Sequence, residues 1–288
     1  MTYLWAEVRR SASRYQLQSL AQQTEVRHFA ANDDPLVVMP IAASARHCRA
    51  TGDTGHTLSL VNSQIVAIGG GTFPAEDYDP RINAFILSLT GRPRPRVCYL
   101  GTAGGDREHG MYAFYRAMSR HDCRPTELTF FERVVEDLEA FVNDQDVFWV
   151  AGGSTANLLA VWRLHGLDSL LRRAYERGAV LCGVSAGMNC WFEGSTTDSF
   201  GPTLRSLPDG LGFLSGSASP HYDAHPERRP LFRRLVDSGG LPAGWAADDF
   251  AALHFRDGEL VEAVAWRDEA RAYRVEPGSE IPLPTRIL

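Results

Sequence analysis

Short apolar runs separated by helix-length segments recur along the chain from about residue 64 onward. Four runs, at residues 64–68, 96–100, 147–150 and 179–181, predict buried strands. Each run leads into a glycine-containing stretch, and the segments between the runs suit helices of about ten residues. Strands that alternate with helices in this way are typical of a mostly parallel sheet with helices on both faces. The pattern therefore predicts an α/β fold.

The two ends of the chain depart from this alternation. Residues 251–266 read as two strands joined at Asp257-Gly258 and predict a C-terminal antiparallel hairpin, to which residues 271–275 are expected to add a third strand. Residues 1–60 carry no motif, and we expect a weakly ordered extension there. Since we find no internal repeat and no second core, residues 61–288 are expected to form one domain.

Composition narrows the range of functions. The formal net charge of −6 over 288 residues and the lack of a basic run argue against a nucleic-acid partner. No apolar stretch reaches the roughly 18 residues that a membrane span needs, and the first ten residues do not resemble a signal peptide. The five cysteines are scattered and form no C-x-x-C pair, so neither a disulfide framework nor a zinc site is indicated. A reducing cytoplasm fits best.

The strongest chemical signal follows the run at 179–181. Residues 183–187, Gly-Val-Ser-Ala-Gly, have the form Gly-x-Ser-x-Gly between a predicted strand and a segment able to continue as a helix. This is the context of a nucleophile elbow, in which Ser185 lies on a sharp turn and the Ala186 N–H faces an oxyanion. Gly153, at the end of the 147–150 strand, could present the second N–H. A glycine-rich turn with a capping serine would show the same five residues.

A serine nucleophile needs a base, and the base needs an orienting group. His221 is the best-placed histidine because it follows a proline on a constrained loop, with His225 as the nearby competitor. For the orienting acid Asp198 comes first, and Glu193 and Asp223 are the alternatives. These residues in this order favour catalysis over a capping role for the serine.

Gly69-Gly70-Gly71 ends the first predicted strand. No Gly-Lys-Ser/Thr follows it and the Rossmann spacing is absent, so a phosphate-binding module is disfavoured. The triplet instead predicts that the backbone approaches another group closely at the carboxyl end of this strand.

Three motifs in this order, at residues 150–159, residues 183–187 and Pro220-His221, resemble the peptidase E family of aspartyl dipeptidases, which also includes the cyanophycinases. The similarity spans roughly residues 64–275. It implies an α/β fold related to class I glutamine amidotransferases, with a serine in place of the elbow cysteine. It also implies roles for five residues: Ser185 as nucleophile, His221 as base, Asp198 as third member, and Gly153 and Ala186 as oxyanion donors.

Two departures limit what the resemblance transfers. The spacing from Ser185 to Asp198 is slightly shorter than in the dipeptidases, and some relatives use glutamate, which keeps Glu193 open. Residues 191–202 are not typical of aspartyl dipeptidases, so a preference for an N-terminal aspartate stays open as well.

We therefore expect a cofactor-free serine peptidase that hydrolyses small peptides, with Asp-X dipeptides among the candidates, through an acyl-enzyme on Ser185. The alternatives are a cyanophycinase-like isopeptide or amide hydrolase, and a non-catalytic member that binds a small acidic ligand or a partner protein. Arg205 and Arg228 are candidates, by position alone, for binding a substrate carboxylate. The sequence does not set the oligomeric state, and a homodimer stays open.

Overall fold

The computed structural model describes residues 62–73 and 78–288, so the extension predicted at residues 1–60 lies outside the described residues. The strands of the described part are, in chain order, β1 (Gln64–Ile68), β2 (Arg96–Leu100), β3 (Arg124–Glu127), β4 (Val147–Val150), β5 (Val180–Val184), β6 (Phe192–Thr197), β7 (Arg205–Leu207), β8 (Leu214–Ser219), β9 (Gly244–Ala247), β10 (Ala251–Arg256), β11 (Glu259–Ala265), β12 (Ala272–Glu276), β13 (Ser279–Pro282) and β14 (Thr285–Ile287). Its helices are α1 (Arg81–Ser88), α2 (Glu108–Met118), α3 (Leu138–Asn143), α4 (Thr155–His165), α5 (Leu167–Glu176), α6 (Ala186–Asn189) and α7 (Arg228–Asp237).

The larger of two sheets has the strand order β14-β11-β10-β1-β5-β4-β2-β3. Its strands β1, β5, β4, β2 and β3 are parallel, and β10 and β11 add an antiparallel hairpin beside β1. The hairpin turns at Asp257-Gly258, where both residues have positive φ angles of 51° and 85°. The predictions of an α/β fold and of a C-terminal hairpin are confirmed.

Helices cover both faces of this sheet. On one face α4 and α5 bury Leu158, Trp162 and Leu171, and on the other face α1 and α2 bury Ile82 and Phe114. Strands β1, β4 and β5 are buried along their whole length, which explains why they read as continuous apolar runs without alternation. The carboxyl ends of these parallel strands meet at one edge, which is where ligands bind in open α/β sheets.

A second sheet, in the order β13-β12-β9-β8-β6-β7, has no counterpart in the sequence prediction. The strand predicted at residues 271–275 does form, as β12, but it pairs with β9 and β13 rather than extending the hairpin. Phe192 and Leu214 of this sheet pack in the same apolar core as Leu181 of the larger one. No helix in the described part of the chain is long and apolar enough to cross a membrane.

Candidate active site

Ser185 lies at the junction between β5 and α6, with the strained backbone angles φ 58° and ψ −110°. The glycines on either side are required by contact. A Cβ on Gly183 would overlap the backbone of Gly187, and a Cβ on Gly187 would lie 2.5 Å from the carbonyl oxygen of Val150. The local sequence therefore folds into the sharp strand-to-helix turn predicted for a nucleophile elbow.

His221 follows β8 after Pro220 and also has a positive φ, of 50°. Its Nδ1–H donates to the carboxylate of Asp249, with 2.6 Å between Nδ1 and Oδ1, and both side chains are partly exposed. An imidazole held at Nδ1 keeps Nε2 available for proton transfer. The imidazole of His221 and the carboxylate of Asp249 thus form a direct hydrogen-bonded pair.

Asp249 lies in the connection between β9 and β10 and is fixed from two directions. Its backbone N–H donates to Oδ1 of Asp223 at 2.8 Å. On the other side it forms a parallel bridge with Gly70, whose carbonyl oxygen accepts from the Phe250 N–H at 3.1 Å. The glycine triplet after β1 therefore approaches the His221–Asp249 pair, which is the kind of close approach that the sequence predicted for it.

In the described part of the chain, His221 forms no hydrogen bond or ion pair with either acid favoured from the sequence, and its carboxylate partner is Asp249 instead. Glu193 lies on β6, and its Oε2 accepts a hydrogen bond from the Gly216 N–H at 2.9 Å. Asp198 is exposed after the end of β6, and its carboxylate forms no hydrogen bond with a described residue. Asp223, the third alternative, supports the backbone of Asp249 rather than the imidazole.

Sequence reasoning missed Asp249, although two signals pointed toward it. Asp248-Asp249 immediately precedes the predicted hairpin, and the glycine triplet indicated that some group lies against the end of β1. The sequence does not show that the glycine triplet after β1 pairs with Asp248-Asp249 before β10. That pairing depends on β10 lying next to β1, and it cannot be read from either segment alone.

Of the two predicted oxyanion donors, Ala186 directly follows Ser185 and Gly153 lines the same pocket as Ser185. A Cβ on Gly152 would lie 3.2 Å from the Ser185 Cβ, so the glycine-rich end of β4 runs past the serine. Gly153 has a φ of 139°, which glycine adopts without strain, and a Cβ there would overlap the Ala103 carbonyl oxygen. The N–H groups of Gly153 and Ala186 donate to no other residue of the described chain.

A pocket of about 510 Å³ brings these elements together. It lies at the carboxyl ends of β1, β2, β4 and β5, and Ser185, His221, Gly70 and Gly153 are among the residues that line it. Its size is in the usual range for a small-molecule site.

Neither arginine proposed from the sequence lines this pocket. Arg205 lies on β7 with its guanidinium 5.7 Å from the ring centre of Phe200. Arg228 is 5% exposed at the start of α7 and donates to Thr196, so it is part of the protein interior. Burial lowers the pKa of Arg228, while the charges of Asp198 and Asp249 act in the opposite direction. The arginine that does line the pocket is Arg107.

Burial also raises the pKa of Asp248, the residue before Asp249, to about 6. In the described part of the chain, no group of three or more histidine, cysteine or acidic side chains has the arrangement of a metal site. The side chains gathered at the pocket are those of nucleophilic acyl transfer.

An α/β sheet that presents a serine, a histidine and a carboxylate at its carboxyl edge is the architecture of serine hydrolases. Residues 65–263 match the family model described as peptidase family S51. The chain belongs to this family of serine peptidases, which confirms the resemblance to the peptidase E family.

Known relatives agree with this assignment. A Bacillus subtilis (strain 168) protein described as an uncharacterized peptidase, YgaJ, is 45% identical over 229 residues, which cover 78% of this chain and 99% of that protein. A peptidase from an acI-B1 Actinobacterium has a TM-score of 0.57 at 18% identity, covering 77% of this chain and 94% of its own. A candidate peptidase E from Listeria monocytogenes EGD-e has a TM-score of 0.52 at 15% identity, covering 69% and 97%. At these identities the two structures show the fold alone.

Proposed function

We propose that the chain hydrolyses small peptides, and dipeptides in particular, through an acyl-enzyme on Ser185. The observation that supports this proposal most directly is that His221, which is hydrogen-bonded to Asp249, lines the same pocket as the elbow serine. In this proposal Asp249 takes the orienting role that the sequence had given to Asp198.

The reaction begins when Ser185 Oγ attacks the scissile carbonyl and His221 accepts the hydroxyl proton. The Asp249 carboxylate stabilises the imidazolium that forms. The tetrahedral oxyanion accepts hydrogen bonds from the Gly153 and Ala186 N–H groups, which have no partner in the described chain. His221 then protonates the leaving amine, and water hydrolyses the acyl-enzyme by the same steps in reverse order.

The same groups would serve a cyanophycinase-like enzyme that cleaves isopeptide or other amide bonds. The two proposals differ in substrate and not in machinery, so a panel that contains both α-peptides and β-aspartyl isopeptides separates them. A cytoplasmic location and a homodimer stay predictions from the sequence.

The test is intact-mass spectrometry after incubation with a fluorophosphonate probe. We expect one adduct on the natural protein and none on Ser185→Ala or His221→Ala. Hydrolysis of a dipeptide library then gives kcat for Asp249→Asn and for the matched variant Asp198→Asn. Asp249→Asn should lower kcat on the order of 10³- to 10⁴-fold, as loss of the orienting carboxylate does in other triads.

Asp198→Asn should leave kcat within about twofold, because the Asp198 carboxylate is exposed and forms no hydrogen bond or ion pair with a described residue. The reverse pattern would return the third role to Asp198. An adduct that persists in Ser185→Ala, or hydrolysis that does, would overturn the assignment of the nucleophile.

A further inference from the structure

The deep wall of the pocket beside Ser185 is aromatic. Phe73, Tyr99 and Trp149 line it and are only 8%, 5% and 1% exposed. Phe73 packs on both of the others, with ring centres 5.1 Å from Trp149 and 6.4 Å from Tyr99. These rings fix the shape of the wall, because each is held by its neighbours.

The polar groups on these rings are neutral. Trp149 Nε1 has no acceptor in the described chain. Burial raises the pKa of Tyr99 to about 12, so its hydroxyl keeps its proton at neutral pH. Among the described lining residues there is no acidic side chain and no lysine. A carboxylate pushed against this wall would lose its hydration without gaining a cation, which is costly.

A cation does lie at the mouth of the pocket. Arg107 is the residue before α2, its side chain is exposed, and it lines the pocket together with His109. Its guanidinium forms no ion pair or hydrogen bond with a described residue, whereas the guanidinium of Arg163 on α4 is paired with Asp209. A guanidinium without a protein partner can bind a carboxylate through two parallel hydrogen bonds.

We propose that the aromatic wall takes an apolar side chain of the peptide substrate, while Arg107 binds a carboxylate of the same substrate at the rim. The proposal rests on the proposed function and gives it a substrate class: short peptides with a large apolar residue beside the scissile bond. The carboxylate comes either from the free C-terminus or from an acidic side chain next to the apolar residue.

The first experiment measures KM for three substrates: Phe-Leu, Phe-Leu amide, and Phe-Asp amide, whose only carboxylate is a side chain. The variant is Arg107→Met. The matched control is Arg116→Met, because Arg116 is an exposed arginine on α2, the helix that follows Arg107, and does not line this pocket. Loss of a charge-assisted contact should raise KM roughly 10- to 100-fold for a carboxylate substrate.

The two sources of the carboxylate give different patterns. If the C-terminus binds Arg107, Phe-Leu should have the lowest KM and lose that advantage in Arg107→Met. If a side chain binds there, Phe-Asp amide should show that behaviour instead. The amide without a carboxylate should be insensitive to the variant, and Arg116→Met should leave every KM within about twofold. Equal effects of Arg107→Met on all three substrates would overturn the carboxylate site.

The second experiment narrows the pocket at Gly104, where an added Cβ would meet only the Gly152 carbonyl oxygen, at 3.7 Å. Gly104→Leu should lower kcat/KM for Phe-Leu at least tenfold more than for Ala-Leu, with labelling of Ser185 retained. An equal loss on both, or Asp-Leu as the best substrate of the natural protein, would overturn the apolar assignment. Absence of both labelling and hydrolysis would overturn the proposed function as well, which distinguishes the two failures.

Discussion

At Gly70 the backbone that leaves β1 runs directly against the His221–Asp249 pair. A Cβ at this position would lie 2.6 Å from His221 Nδ1 and would overlap Asp249 Oδ1. The residue does not need glycine for its φ angle; it needs glycine because a side chain would occupy the space of the hydrogen bond. Because Gly70 carries a hydrogen atom in place of a methyl group, His221 Nδ1 and Asp249 Oδ1 can approach to hydrogen-bonding distance.

Gly70→Ala should therefore separate His221 from Asp249 with little effect on the rest of the fold. We expect kcat to fall roughly 10²-fold or more, approaching the effect of removing the orienting acid. The measurement is kcat on a dipeptide together with the urea midpoint of unfolding. Gly240→Ala is the control, because the nearest atom to its Cβ is the flexible end of Leu235 at 3.2 Å. A fully active Gly70→Ala would show that the pair is not needed.

The residue scale also shows which parts of the site the sequence could predict. Ser185 and Ala186 lie within one short motif whose geometry is local, so their arrangement follows from a few consecutive residues. Gly153 comes near them through the pairing of β4 with β5, which the sequence indicated as neighbouring strands. Asp249 is 28 residues from His221 and reaches it through pairing between distant strands. Asp198 ranks first from the sequence because it follows the elbow and because the resemblance implies that role, and neither reason shows which segments pair in the fold.

At the scale of elements, β6 and β8 are the unusual strands. They contain mostly glycine, serine and threonine, yet their interior residues are buried. Buried hydrogen bonds accompany this burial: the hydroxyls of Thr196 and Ser219 lie 2.8 Å apart. Asn189 Nδ2 and Arg228 Nη1 donate to the carbonyl oxygen of Thr196, at 3.1 and 3.4 Å. This cluster joins the helix after the nucleophile to the strand that leads to His221.

Thr196→Val keeps the shape of the side chain and removes its hydroxyl. Ser219 is then left without its partner in a buried position, which costs about 1–3 kcal/mol of unfolding free energy. Urea denaturation measures this loss. The double variant Thr196→Val/Ser219→Ala should lose less than the sum of the two single variants, because both partners are then removed. Strict additivity would show that the two hydroxyls do not interact.

These strands explain where sequence reasoning failed at the scale of elements. The apolar runs of the larger sheet are a direct signal because burial on both faces requires apolar residues. Strands built from small polar residues carry no hydrophobic alternation, and their serines and glycines are equally typical of turns. The residues of β12 were recognised as a strand, but its partner β9 was not, so it was attached to the wrong sheet.

At the scale of the whole molecule, the chain crosses from the second sheet to the larger one at Asp248-Asp249-Phe250, between β9 and β10. Asp248 binds this crossing to the second sheet: its Oδ2 accepts from the Arg271 N–H at 3.0 Å and from the Tyr273 hydroxyl at 3.3 Å. Asp249 carries the contact to His221. The two adjacent carboxylates thus connect the packing of the sheets to the proposed catalytic pair.

The burial of the Asp248 carboxylate at this crossing makes the unfolding free energy depend on pH. Burial raises the pKa of Asp248 from 3.8 to about 6, so the folded state binds the proton more tightly than the unfolded state. The contribution of Asp248 to stability is complete below about pH 4 and is lost as the pH rises through about 6.

Asp248→Asn keeps an acceptor for Arg271 and Tyr273 but cannot ionise. Its unfolding free energy relative to the natural protein should therefore rise by about 2–3 kcal/mol between pH 4 and pH 7. Urea denaturation at several pH values measures this difference, with Asp198→Asn as the exposed control. Parallel profiles for Asp248→Asn and the natural protein would show that Asp248 ionises in the folded protein as it does in water.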